Sequence, residues 1–200
     1  EDVTPVPKNI YGATKTAAES LCELFARRHG LPVIVLRTSR FFPEDDDDPE
    51  RRASRSLDNT QANELLYRRA DVADVVSAHL LATDKAPARG FARYIISATT
   101  PFSKGDLAEL REDAPGAVAR LFPDFPALYA SRGWSMFPEL DRVYVNALAR
   151  EELGWEPQYD FAHVLSSLRE GVDFRSPLAR EIGSKGYHAG TFSVGPYPVA

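Results

Sequence analysis

An α/β fold is predicted by three features of this 200-residue sequence. A helical apolar period runs directly into a short β-branched stretch, a second helix and strand follow in the same order, and the second half then turns mostly helical. From Ile10 to His29 the residues Ile10, Ala13, Ala17, Leu21, Leu24 and Phe25 recur at intervals of three and four, the period of an amphipathic helix. Asn9 is placed to cap that helix, and Gly30 and Pro32 to end it. The run "VIVLR", 33 to 37, is almost wholly apolar and suits a strand buried on both faces of a parallel sheet. A short helix is expected around "NTQANELLY". In "RRADVADVVSAHLLATDKA" Asp71 can cap a longer helix, Asp74 sits in its first turn, and Val72, Val75, Val76, His79 and Leu80 line one face. "ARYIISA", 92 to 98, reads as the next strand.

Between these elements, "FFPEDDDDPERRASRS" changes abruptly to charge and proline and reads as a solvated acidic loop over 43–56. Its four aspartates lack the alternating ligands and the glycine of a calcium loop. Beyond residue 100, Ser103 can cap one helix, and "PGAVARLFPDFPALYASRGW" is helical but interrupted by prolines. "DRVYV" looks extended, "NALAREELGW" is a helix stopped at Gly154, and "YDFAHVLSSLREG" is a helix capped by Asp160. Residues 101–174 therefore read as a small, mostly helical lobe. Residues 175–200, rich in glycine and proline, read as an irregular tail.

Composition excludes several functions. The formal charge of −5 and the lack of a basic block argue against a nucleic-acid partner. Cys22 is the only cysteine, so no internal disulfide and no cysteine metal site can form, which suits a reducing cytoplasm. No run approaches the roughly 20 apolar residues of a membrane span, and "EDVTPVPKN" is acidic where a signal peptide would be basic. His29, His79, His163 and His188 show no H-x-x-x-H or H-E-x-x-H spacing, so no metal is expected. A G-x-S-x-G nucleophile elbow is also missing. Trp134 and Trp155 read as core of the second lobe.

The residues with chemical potential are Tyr11 and Lys15, in "NIYGATKTAAE". Four positions apart on a helix, they stand on one face. An ammonium beside a phenol favours the phenolate and so eases proton exchange with a substrate oxygen while a hydride moves at the adjacent carbon. The alternative is an exposed polar pair. Gly12, Ala13, Ala17 and Ala18 are small enough to let the helix approach another backbone or a flat cofactor closely.

With "RRHGLPVIVLR" following it, "YGATKTAAE" resembles the active-site helix of the extended short-chain dehydrogenase/reductase family, the nucleotide-sugar epimerases and dehydratases, which carries Y-x-x-x-K. Three further stretches are similar to that family in the same order: "LRTSRFF", "RRADVADVVSAHLLA" and "REELGWEPQYDF". The resemblance covers roughly residues 1–170. It implies the C-terminal part of a Rossmann-type NAD- or NADP-binding domain over 1–100, followed by a substrate-binding lobe. It also implies Tyr11 as catalytic acid/base, with Lys15 promoting its ionisation and binding the nicotinamide ribose. Thr38 and Ser39 fall where the family's backbone touches the nicotinamide, in keeping with ligand binding at the carboxyl ends of strands. A homodimer through the Tyr11–Lys15 helix is a further implication.

The sequence departs from that pattern in two ways. Arg40 stands where many relatives have a substrate-contacting asparagine; it could clamp a phosphate or carboxylate, or pair with the acidic loop. Arg142 matches an arginine that in relatives contacts the substrate's pyrophosphate, or it is a surface salt-bridge residue. No glycine-rich dinucleotide turn occurs, only ten residues precede Tyr11, and Thr4 lies too close to act as the tyrosine's usual serine or threonine partner. The expectation is therefore the C-terminal portion of a longer NAD(P)-dependent epimerase, dehydratase or reductase acting on a small nucleotide-sugar-like or related hydroxy/keto substrate. Strands 33–37 and 92–98 would then lack most of their neighbours. The alternative is a module of the same fold that senses a dinucleotide or metabolite without turnover.

Overall fold

The computed structural model describes residues 4–41 and 53–183. The acidic loop up to residue 52, and the tail from residue 184, lie outside the described residues. Helix α1 (Ile10–His29) begins where Asn9 accepts a hydrogen bond from the Gly12 N–H at 2.8 Å. It ends at Gly30, whose φ of 65° is the left-handed conformation that glycine adopts without strain. Strand β1 (Val33–Thr38) follows. Next come α2 (Leu57–Glu64), capped by Ser56, α3 (Val72–Arg89), capped by Asp71, and strand β2 (Phe91–Ile96). β1 and β2 pair in parallel, with Val33 opposite Phe91 and Thr38 opposite Ile96. A parallel pair requires a crossover, and α2 and α3 lie within it.

The second half is helical. A 3₁₀ turn (Lys104–Asp106) leads into α4 (Leu107–Glu112), α5 (Ala114–Leu121) and α6 (Phe125–Ala130), and after a long irregular stretch come α7 (Ala147–Leu153), α8 (Phe161–Glu170) and α9 (Pro177–Ile182). Pro115 and Pro126 occupy first-turn positions of α5 and α6, so they start helices rather than interrupt one. The predicted extended piece at 141–145 forms no strand; its Tyr144 N–H donates to the Tyr67 carbonyl at 2.8 Å. α9 lies inside the segment read as irregular, and its signal is a serine cap followed by proline: Ser176 accepts from the Ala179 N–H.

Two apolar cores form, and each draws on residues from both halves of the sequence. One packs Ile34, Leu36, Tyr94 and Ile96 of the sheet against Val75 and Ala78 of α3, and also takes in Leu153 and Trp155 from beyond residue 147. The other gathers Phe125, Tyr129, Phe161 and Leu165, and takes Ala62, Leu65, Leu66 and Tyr67 from before residue 70. Its rings meet edge to face, with Phe125 and Tyr129 centroids 5.0 Å apart and Tyr129 and Trp134 5.4 Å apart.

The first turn of α3 fastens the halves together. Asp74 accepts from the Gln158 N–H at 2.9 Å and the Tyr159 N–H at 3.0 Å, and the Trp155 indole donates to the Asp74 carbonyl. Asp71 accepts from the Ala73 and Ser176 N–H groups. Asp74→Ala would strand two backbone donors and is expected to cost about 1–3 kcal/mol for each left unsatisfied. Urea unfolding of the variant measures it; an unchanged midpoint would refute the tether.

The face α1 turns to the sheet is not its apolar one. Ile10, Leu21, Leu24 and Phe25 are 79, 56, 43 and 50% exposed, and the inward side carries Glu19 and Glu23. Arg37 of β1 donates to Glu19 at 2.9 and 2.7 Å; Arg93 of β2 pairs with Glu23 and lies 3.3 Å from Glu19, a charge contact without hydrogen-bond alignment. β1 is accordingly half-buried along its length instead of buried on both faces. Val76 and Leu80 of α3 are likewise exposed, because α3 buries its Asp74, Val75, Ala78 and Ala82 side.

Glu19 is held below the ordinary glutamate value, chiefly by its hydrogen bond from Arg37. A depressed carboxylate contributes stability above the unfolded-state value and loses it as pH falls through the folded one. The hold on α1 should therefore weaken in that acid window. Hydrogen exchange of α1 amides against pH reads this, and a Glu19→Gln variant with the same pH dependence would refute it.

Candidate active site

Tyr11 and Lys15 stand one helical turn apart near the start of α1, with the Lys15 ammonium over the Tyr11 ring, 5.4 Å from its centroid. That is within the range of cation–π attraction. Tyr11 is 64% exposed and Lys15 is exposed, so the pair faces open solvent among the described residues. Gly12 is half-buried at the same turn. Thr38 ends β1, half-buried, and Ser39 continues the ladder by donating its N–H to the Ile96 carbonyl at 2.8 Å. Ser39 is only 6% exposed, and its hydroxyl is buried with no hydrogen-bond partner. Such a group costs free energy unless something else bonds it.

Just past the strand ends, the segment 68–70 wedges between the two strands. The Arg40 N–H donates to the Arg68 carbonyl, the Ala70 N–H to the Arg40 carbonyl, and the Ala98 N–H to the Arg69 carbonyl. This wedge builds a charge hub that sequence reasoning missed. Glu64, fully buried at the end of α2, accepts from Arg40 at 3.1 Å, Arg68 at 2.9 Å and Arg69 at 2.8 Å. Burial pushes the Glu64 carboxyl up, but Arg69, Arg40 and Arg68 together outweigh burial and hold it below its ordinary value. The one local signal was the i, i+4 spacing of Glu64 and Arg68. Arg40, read either as a substrate clamp or as a partner of the acidic loop, reaches Glu64.

Arg142 bonds its neighbour Asp141, at 3.0 Å to each carboxylate oxygen, and that hydrogen-bonded carboxylate raises the guanidinium above its ordinary value. Arg142 and Asp141 thus form an exposed salt bridge. Arg142 also edges a hollow of about 400 Å³ with Arg68, Tyr67, Thr60 and Phe137. Arg68 stacks on the Tyr67 ring and keeps its Nε buried without an acceptor. Arg68 thereby joins the Arg40 hub to the Arg142 hollow, while Tyr11 and Lys15 stand on α1. Among the described residues, no group of three or more histidine, cysteine, aspartate or glutamate side chains could hold a metal ion, and no helix is long and apolar enough to cross a membrane.

Residues 1–96 match the model of the NAD dependent epimerase/dehydratase family. Tyr11, Lys15, Thr38, Ser39 and Arg40 all lie within the stretch that is similar to this family. Among solved structures, the fold is similar to that of UDP-N-acetylglucosamine 4-epimerase from Bacillus cereus, with a TM-score of 0.51 and 16% identity over 85% of this chain and 54% of the other. RMD from Pseudomonas aeruginosa, complexed with NADPH, gives 0.48 and 21% over 85% and 57%. The chain thus spans about half the length of these structures. No curated protein matches.

Proposed function

We propose that this chain is the C-terminal part of a nicotinamide-dinucleotide-dependent epimerase, dehydratase or reductase, with Tyr11 as its acid/base and Lys15 as the cation beside it. The observation that carries this reading is the Lys15 ammonium over the Tyr11 ring, on an exposed face within the family-matched stretch. The residues present suit the nicotinamide end of NAD or NADP. The Ser39 hydroxyl is an orphaned donor at the carboxyl end of β1, Thr38 lies beside it, and Lys15 brings three N–H donors. A glycine-rich turn for the pyrophosphate does not occur in these 200 residues, so the reading assigns that turn to a preceding part of a longer protein. The open groove of about 520 Å³ along Ile34, Leu36, His79 and Ala82 suits the missing neighbours of a larger sheet.

When bound, the dinucleotide supplies a hydride acceptor or donor. Tyr11 takes the hydroxyl proton of a substrate carbinol as the hydrogen on the same carbon leaves as hydride, and returns that proton when a carbonyl is reduced. Lys15 stabilises the phenolate formed between those events. The hollow edged by Arg68 and Arg142 also has Glu139 and Asp141 in its lining, and that mixture of donors and acceptors suits a substrate bearing several hydroxyl groups, as a sugar does. The exposed stripe of Ile10, Leu21 and Leu24 is the surface through which a second copy would dock. In the complete protein, Tyr11→Phe should keep dinucleotide binding and lose turnover. Retained turnover would overturn the assignment.

A further inference from the structure

A second hollow, of about 480 Å³, opens where the start of α2 meets the turn after α6. Arg55, Ser56, Asn59, Arg132, Trp134 and Ser135 are among its lining, and no carboxylate lines it among the described residues. Asn59 is 2% exposed. Its Oδ1 accepts from the Ser135 N–H at 3.0 Å. A backbone N–H can only donate, so that bond fixes the carboxamide's orientation and leaves its NH₂ as the other group. That Nδ2 is buried and has no acceptor.

The two arginines are held in place by neutral oxygens. Arg55 donates to the Ser135 hydroxyl at 3.1 Å and the Met136 carbonyl at 3.3 Å, and its guanidinium lies over Phe137. Arg132 donates to the Leu168 carbonyl at 3.2 Å. The nearest first-turn acid of α2, Asp58, is turned to Arg175 at 3.0 Å. The hollow therefore gathers two cations and an orphaned amide donor without a counter-charge in its lining.

We propose that this hollow binds a phosphate-class oxyanion, with Arg55, Arg132 and the Asn59 carboxamide as its donors. Arg55 and Asn59 stand at the start of α2 and Arg132 in the turn after α6, so three donor groups on two segments line one hollow; that number of donors suits the several acceptor oxygens of a phosphate, whereas a planar carboxylate is matched by one arginine fork. The site is separate from Tyr11 and Lys15. Arg55 borders both this hollow and the one beside Arg142.

The test is a titration of the chain at constant ionic strength with inorganic phosphate, a simple phosphate monoester and acetate, followed by the fluorescence of Trp134. Saturable binding of both phosphates with much weaker acetate binding is expected. Arg55→Gln and Arg132→Gln should each weaken phosphate binding by about tenfold or more, the loss expected for one charge-assisted bond. Asn59→Asp keeps the acceptor for Ser135 and should abolish binding, while Tyr11→Phe should leave it unchanged. Should Asn59→Asp fail to fold, the two arginine variants decide. No saturable phosphate binding, acetate binding as tightly as phosphate, or binding unaffected by the arginine variants would overturn the proposal.

Discussion

Glu64→Ala is expected to destabilise the chain by about 3–5 kcal/mol, the range for removing one partner of a buried ion pair. The Glu64 side chain is fully buried, and three guanidiniums converge on it, one of them the buried Arg69. Removing the carboxylate leaves like charges facing each other in a poorly solvated place, which costs more than the lost hydrogen bonds alone. Burial already pushes Arg69 below the ordinary guanidinium value, the direction expected when the charged form is expensive. The damage should spread, because Arg68 and Arg69 form the wedge that closes the strand ends. Glu64→Gln, which keeps hydrogen-bonding capacity and removes the charge, should fall between. Denaturant unfolding followed by both tryptophan fluorescence and circular dichroism measures this. A loss below about 1 kcal/mol, the scale of an exposed pair, would show that the hub does not hold the strand ends together.

Tyr11→Phe is expected to lower turnover in the complete protein by about 10²–10⁴-fold, the usual contribution of a positioned acid/base. The substitution removes one oxygen from a side chain that is 64% exposed, so the fold has little reason to respond. KM for the dinucleotide should change little, which separates a lost proton-transfer group from a lost binding contact. Equal thermal stability with collapsed kcat is the expected pattern. A parallel loss of stability would move Tyr11 from chemistry to structure.

What the sequence made legible was local. Asn9, Gly30, Gly154 and Asp160 bound their helices because caps act through neighbours in the chain. The Tyr11–Lys15 pair was legible for the same reason, since helical spacing alone brings the two side chains together. Facing directions were not. The period of α1 identified a helix, but which side meets the sheet depended on Arg37 and Arg93, distant residues that pair with Glu19 and Glu23. Arg40's partner was hidden similarly, for Glu64 lies 24 residues away and reads as an ordinary surface acid until α2 is seen to be buried. Ser176 and Pro177 did carry a local helix-start signal, but the glycine- and proline-rich residues around them masked it.

That Tyr11 and Lys15 work as one catalytic unit is tested most directly by a double-mutant cycle on kcat in the complete protein, using Tyr11→Phe, Lys15→Met and the pair. Groups that act together are non-additive. Lys15→Met should slow the parent enzyme strongly and slow the Tyr11→Phe enzyme hardly at all. Fully additive losses would contradict the unit, leaving Lys15 as a charge on the surface of α1.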